Sequence, residues 1–429
     1  MNSSFPPMTG FNQPDVDRVL SAACEAHPNI ALHRGWNATR VTQAEGHACA
    51  TFIPADDTAR SGDEITATAR FIVGCDGANS LVRSQMDADL TDTGFSSSWL
   101  VVDILPSAEL YASIPFGQVL DPARPTTLAP AGKDRRRFEF MLIDGDDPAL
   151  IAEEQSVWSL VGTWGVTQEN ATIVRRAIYT FHGRWAERWR DGRLLLAGDA
   201  AHQMPPFMGQ GFNSGIRDAN ALAWRIDLVL SGYPSRNLLD SYTSERLPHV
   251  KQIVESSVAL GRLICVTNPE AAQHRNAKLR MSRDNPQEAP PQPDWRLGRG
   301  IFAKDDPTAG FVARQARVAN GDAVGLLDDV TGPGHFVLLG NGIDPLEKAS
   351  PAARDAWTQL DGRTFKIGEG GLRDVDGAYA AWFDRLGRDI VLIRPDFQVY
   401  GTSNDAEPLI LALQRQLNAP LSTAHQERR

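Results

Sequence analysis

Residues 194–211 read LLLAGDAAHQMPPFMGQG. The apolar run 194–197 predicts a short strand covered on both faces, as in the middle of a sheet. It stops at Gly198-Asp199, crosses a small-residue turn and a Pro pair, and reaches Gly209-Gln210-Gly211 ahead of a long helix that starts near Asn213. Glycine at a strand end lets a ligand approach the backbone closely, and an acid there can accept hydrogen bonds from sugar or ribitol hydroxyls. A helix start presents free amides and the positive end of a dipole to whatever lies in front of it. The stretch therefore reads as a cradle for one half of a dinucleotide. GDAAH alone could also be a ligand-free strand, turn and capped helix, a lesser reading that the whole string through Gly215 weakens further. The spacing in GQGFNSG is G-x-G-x-x-x-G, which is not the dinucleotide fingerprint.

A second strand–acid–glycine unit lies in FIVGCDGANSLVR, residues 71–83. Asp76-Gly77 ends the apolar run, Asn79 or Ser80 can cap a helix, and Arg83 follows one turn in. Asp76 can bind a sugar hydroxyl or pair with Arg83; alone, the unit would be an Asp-Gly turn with a helical ion pair.

The chain has 429 residues and is 42% hydrophobic, 22% charged and of net charge -10. That length accommodates about two or three domains. The acidic balance argues against nucleic acid or an anionic membrane as the main partner. No apolar run reaches membrane-span length, and MNSSFPPMTG lacks the features of a signal peptide. Four scattered cysteines, with no C-x-x-C, fit reduced thiols in a cytoplasmic protein and no zinc site.

Around the two motifs, residues 12–26 predict a helix with Asn12 as cap and Val16, Val19, Leu20 and Ala23 on one face. Residues 30–75 predict short strands with turns at AEG and SGD. WLVVDI (99–104) and RRFEFML (136–142) predict longer strands, the second with Phe138, Phe140 and Leu142 on one face. Ile216, Ala219, Leu222, Ala223 and Ile226 form the expected buried stripe of the helix after the GD segment, which Gly232 ends. The polar residues 267–299 predict a linker or long loop. HFVLLG (335–340), DIVLIRPD (389–396) and EPLILALQRQL (407–417) predict a small α/β appendage.

The GD string 192–224 and the DG string 69–83 resemble those of the single-component FAD-dependent aromatic hydroxylases, the 3-(3-hydroxyphenyl)propionate hydroxylase type above all. FNQPDVD, DPARPTTLAP, YTFHGRWAERW, HFVLLGNGIDP and IVLIRPDFQVYG support the resemblance, which runs from Phe11 to about Gly401. It implies an α/β fold: an incomplete Rossmann-like FAD-binding domain (1–95 and 181–266), a β-sheet substrate domain (96–180), a linker or helical region (267–310) and a C-terminal thioredoxin-like domain (311–429). It implies FAD as cofactor, NADH or NADPH as co-substrate, and a small phenolic substrate, with homo-oligomerisation left open. Asp199 would bind the ribitol, with Gly198 allowing close approach. Pro205, Gly209, Gln210, Gly211 and Asn213 would line the isoalloxazine edge. Asp76, Gly77 and Arg83 would serve the FAD and nicotinamide region, and Gln13 would touch the cofactor. The cofactor carries such chemistry, so no protein nucleophile is expected. His202 and His182 are expected to be structural rather than catalytic, and the Phe138/Phe140 face is weighed both as substrate wall and as plain core.

The departure is at the start. That family opens with a strand, G-x-G-x-x-G, a helix and an acid for the adenosine ribose, and none of these occurs in this sequence. Three expectations follow. The true N terminus lies upstream of Met1; or the chain is a non-catalytic relic or interaction protein unable to hold FAD; or it binds flavin in an altered way. Without that opening strand, the strands at 71–75 and 194–197 are expected to have unpaired edges and uncovered apolar faces.

Overall fold

The computed structural model describes residues 6, 8–55, 64–285 and 294–418. The quoted run forms the strand Leu194–Leu196, whose side chains are all buried. It lies in the middle of a three-stranded sheet, antiparallel to Arg190–Asp191 and parallel to Ile72–Gly74, the strand of the DG motif. The outer edge of Ile72–Gly74 pairs with nothing among the described residues, and Val73 is 36% exposed. The open edge expected of the strand at 71–75 is therefore present, but the same expectation for 194–197 is wrong: Leu194–Leu196 is paired on both sides and its apolar side chains are covered.

A six-stranded antiparallel sheet stands beside it, in the order His202–Gln203, Ala171–Ala186, Leu90–Pro106, Arg136–Met141, Thr126–Pro130, Gly117–Val119. The GD turn joins the two sheets directly, since Leu194–Leu196 belongs to one and His202–Gln203 to the other. A third sheet, Trp36–Ala44, His47–Pro54 and Ile65–Ala69, is an antiparallel meander turning at Glu45-Gly46. The expected SGD turn lies outside the described residues.

The C-terminal sheet runs Arg363–Ile367, Val337–Asn341, Ile390–Ile393, Val399–Ser403. The first pair is parallel and the other two are antiparallel. With helices Pro351–Gln359, Ala378–Leu386 and Ala406–Asn418 between and after the strands, this is the thioredoxin topology without a cysteine in it. One face shares a continuous core with the GD strand, through Phe336, Leu338, Leu392 and Leu413. A buried ion network crosses the same boundary. Glu245, on helix Ser235–Ile264, lies 2.7 Å from Arg225 and 2.8 Å from Arg394, and Arg394 also pairs with Asp396.

Three expectations need correction. Helix Gln13–Ala26 forms, but it buries none of its residues and Val19 is 67% exposed; Asn12 sits at the cap position without a side-chain cap bond. The helix after the GD segment spans Gly211–Leu230, yet its buried residues are Ser214, Asp218, Ala221, Leu222, Trp224, Arg225 and Val229. Ile216, Ala219 and Ala223 are exposed. Residues 267–299 are not all loop, since Pro269–Asp284 is a helix. Asn268 caps it through Ala271 N–H, and only Ala272 and Arg275 are buried, which explains its polar composition.

Candidate cofactor and substrate site

The GD turn is a single 3-10 turn, Gly198–Ala200. Gly198 has φ +61, a left-handed conformation that glycine adopts without strain. Asp199 stands exposed at the turn, although the surrounding protein still raises its carboxyl pKa, with the His202 charge opposing. Pro205 is buried, and Pro206–Met208 makes a second 3-10 turn closed by Gly209, again at φ +61. Helix Gly211–Leu230 then begins at Gln210 with no side-chain cap and no acid in its first turn. Asn213 donates to Gly209 O at 2.7 Å and Arg217 to Gln210 Oε1 at 3.1 Å. Burial pushes the Arg217 pKa down to about 10, with Arg246 adding repulsion, so a desolvated cation lies beside the helix start.

What holds this turn against the helix is a residue that sequence reading missed. Asp218 is fully buried, accepts from Gly198 N at 3.0 Å, and its Oδ2 lies 2.7 Å from His202 Nε2. Its other oxygen accepts from Arg246 Nε at 2.8 Å, and Arg246 also contacts His249 Nδ1 and Ser214 O. Burial alone would raise the Asp218 pKa, but His202 and Arg246 outweigh it and bring it below the usual value. Tyr242 secures the strand by donating to Leu196 O at 2.8 Å. His202 is thus a structural hydrogen-bonder, as expected. No sequence signal pointed to Asp218, which lies off the apolar stripe expected of this helix.

The DG motif lies directly behind. Asp76 and Arg83 do not form the anticipated pair. Asp76 accepts from Ser80 Oγ at 2.5 Å and Val82 N at 3.1 Å, fixing the start of helix Leu81–Gln85, which Ser80 caps. Arg83 donates to Ala78 O and, at 2.8 Å, to Ala200 O, so it ties this motif to the GD turn. Capping wins because the short helix has its free amides within reach of Asp76. Gly77 has φ +77 and turns the chain there. Gln13 is exposed in the first turn of its helix, two residues from Phe11. The Phe11 ring lies 4.9 Å from that of Phe212, which brings this segment next to the start of helix Gly211–Leu230.

The six-stranded sheet offers its other face to this region. Phe138 and Phe140 belong to a closed core with Leu100, Val102, Val157 and Val161, which settles that face as plain core. The opposite face carries Trp99, fully buried, whose ring is 5.4 Å from Phe207 in the Pro206–Met208 turn. His182 pairs across from Ser96. Among the described residues there is no cluster able to hold a metal ion, and no helix is long and apolar enough to cross a membrane.

Known proteins match this architecture. The family model described as "FAD binding domain" matches residues 1–257, and that of the HcaD C-terminal domain matches 310–416. A probable NADH-specific resorcinol 4-hydroxylase of Rhodococcus jostii is 34% identical, over 94% of this chain and 76% of the relative. A 3-(3-hydroxy-phenyl)propionate/3-hydroxycinnamic acid hydroxylase of a Mycobacterium species is 32% identical, over 92% and 72%. Among solved structures, the flavin-dependent monooxygenase PieE, in complex with FAD and substrate, superposes with a TM-score of 0.77 at 23% identity, covering 95% of this chain and 80% of that one. Aklavinone-11 hydroxylase, with FAD and aklavinone, gives 0.73 at 21% identity, covering 96% and 78%.

Proposed function

We propose, for a chain that belongs to the FAD-dependent aromatic hydroxylases, that the GD turn and the start of helix Gly211–Leu230 hold the flavin end of FAD and that a phenolic ring is hydroxylated against it with NADH or NADPH and O2. The observation that carries this reading is the uncapped helix start, locked by Asp218 beside a glycine turn that ends in an exposed acid. The residues present fit that end of the cofactor. Left-handed Gly198 and Gly209 leave the backbone open to close approach, and free amides face the same space.

FAD, when bound, accepts the hydride and activates oxygen. The rest falls to this chain. Asp199 accepts hydrogen bonds from ribitol hydroxyls. The amides at Gln210 and Gly211, with Asn213, would turn a positive dipole end towards the flavin, and Gly209, whose own amide donates to Pro206 O, would line the same edge. Pro205 would flank that edge, and Gln13, two residues from Phe11, would reach it from the neighbouring segment. Asp76 and Gly77 shape the wall behind, and Arg83 braces it through Ala200 O. Trp99 and Phe207 keep water from the sheet side.

We assign residues 1–95 and 181–266 to the flavin-binding unit, 96–180 to the substrate sheet, 267–310 to the connection and 311–429 to the thioredoxin-like unit. The substrate class is a phenolic aromatic acid, after the relatives' names, and the compartment is the cytoplasm, after the free cysteines.

Titration of the purified chain with FAD, followed by flavin fluorescence, tests the site. Wild type should bind saturably, and Asp199→Ala should weaken binding by about tenfold, the scale of one lost charge-assisted hydrogen bond. Unchanged affinity in that variant counts against the assignment. Absence of flavin uptake by wild type supports a non-catalytic homologue instead.

A further inference from the structure

The thioredoxin-like unit and helix Gly211–Leu230 enclose a cavity of about 530 Å³ where they meet. That is the size of a small-molecule site. The helix supplies Asn220, Ala223, Trp224 and Asp227, which their spacing sets on one face. The far wall comprises Asp328 from helix Leu327–Thr331, the loop 332–335, and the turn 395–397 between strands Ile390–Ile393 and Val399–Ser403. Trp224 lies about 20 Å along the helix from its start, so the cavity is remote from the turn assigned to the flavin.

The polar groups of this wall are not all matched within the chain. Asp227 and Asp328 have no ion pair among the described residues; Asp328 accepts from the Gln315 amide, a neutral donor. The cations nearby are already held. Arg394 pairs with Asp396 and Glu245, Arg225 with Glu245, and His335 lies 3.1 Å from Asp361. The cavity therefore carries an excess of negative charge. Trp224 is 6% exposed, and its indole N–H is buried with no acceptor among the described residues. Burial would raise the pKa of neighbouring Asp396, but Arg394, Arg225 and the Trp224 side chain bring it below the usual value. Arg394 takes both oxygens of that acid, which leaves the indole N–H over. A buried donor without an acceptor is costly and calls for a partner. Phe397, on the opposite wall, holds φ +61, a left-handed backbone that a large side chain seldom adopts and that marks ligand sites more often than plain turns.

We propose that this cavity is a second small-molecule site, which takes a protonated amine carried on an aromatic ring with a hydrogen-bond acceptor at its other end. The ammonium sits at the mouth, where Asp227 is exposed and Asp328 half-buried. The ring packs on Phe397 and Pro395, and the acceptor meets the Trp224 N–H. Charge complementarity selects a cation and rejects aromatic acids, so the occupant differs in class from the phenolic acid assigned to the flavin site. Because its walls belong to two units, the occupant also ties them together.

Calorimetric titration of the full chain at pH 7.5 with 4-methoxyphenethylamine, phenethylamine and 4-methoxyphenylacetate tests this without turnover. Wild type should bind the first saturably, the second about threefold more weakly for want of the ether oxygen, and the third not measurably. Asp227→Asn combined with Asp328→Asn should weaken 4-methoxyphenethylamine by about tenfold or more. Trp224→Phe should make the two amines equal. Ala223→Trp, which fills the mouth from the exposed side of the helix, should abolish amine binding and leave FAD uptake as in wild type; it keeps the test decisive where Trp224→Phe fails to fold. Wild type that binds neither amine overturns the proposal, as does a double variant of unchanged affinity, or a wild type that binds the acid as tightly as the amine. FAD uptake by the same chains separates each of these results from a failure of the flavin reading, on which this site does not depend.

Discussion

Replacing Asp218 by Asn removes one negative charge from the point where the GD turn, the following helix and helix Ser235–Ile264 meet. Its carboxylate takes three contacts of 2.7–3.0 Å, from Gly198 N, His202 Nε2 and Arg246 Nε, with no exposure to water. Asn can present only one acceptor, and its amide would face a donor. Most of the cost falls on Arg246, which stays buried without its only carboxylate partner among the described residues. Breaking a buried pair in this way costs about 3–5 kcal/mol. Urea unfolding followed by tryptophan fluorescence is a suitable assay, because buried Trp189 packs 5.4 Å from His202 and reports on this region. If Arg246 dominates the loss, Asp218→Asn combined with Arg246→Met should lose less than the two single changes added together, by at least about 1 kcal/mol. A single Asp218→Asn loss below about 1 kcal/mol would refute the argument that this acid organises the cradle.

Two further outcomes follow from the same region. The His249 pKa is pushed down to about 3 by burial, with Arg246 and Arg217 adding repulsion. Between that value and the usual one near 6.5 the unfolded chain holds a proton that the folded chain does not, so stability should fall as pH drops through this window, with a slope approaching about 1.4 kcal/mol per pH unit; urea midpoints at pH 7.5 and 5 measure it, and His249→Gln should flatten the difference. Asp218, also lowered, adds its loss only at more acidic pH. Gly198→Ala should cost about 1–2 kcal/mol because of its φ of +61. Gly215→Ala, whose new methyl would meet Gly198 Cα at an ordinary 3.5 Å, should change stability by less than about 1 kcal/mol, and equal losses in the two variants would show that crowding rather than backbone conformation governs the turn.

Much of this was legible in the sequence because it is local. A strand, a glycine turn and a helix start are each written in adjacent residues, so the GD segment was readable, as were the C-terminal strands. Asp218 was not, because its role depends on Arg246 and His202, distant in sequence and joined only by packing. The Phe138/Phe140 pattern announced two faces but could not say which one meets the Pro206–Met208 turn; Trp99 against Phe207 decides that. The stripe with Ile216, Ala219 and Ala223 pointed to the wrong face, because the helix turns Asp218, Ala221, Leu222 and Arg225 inward, where polar partners as well as apolar ones receive them. Asp76 was drawn to the nearer amides of its own turn instead of to Arg83.

The C-terminal unit looks from sequence like a detachable appendage, but Glu245 makes it an awkward part to exchange. Arg394 reaches this acid from the thioredoxin-like sheet, Arg225 from helix Gly211–Leu230, and Ile301 N donates to it at 2.7 Å from the connection between them. A chimera that grafts the terminal unit of a relative onto this chain therefore inherits a charge-matching requirement. Unless the donor brings an Arg–Asp pair to the positions of Arg394 and Asp396, Glu245 and Arg225 are left to balance each other without it. Recombination within such a family is thus constrained at a boundary far from the reacting atoms.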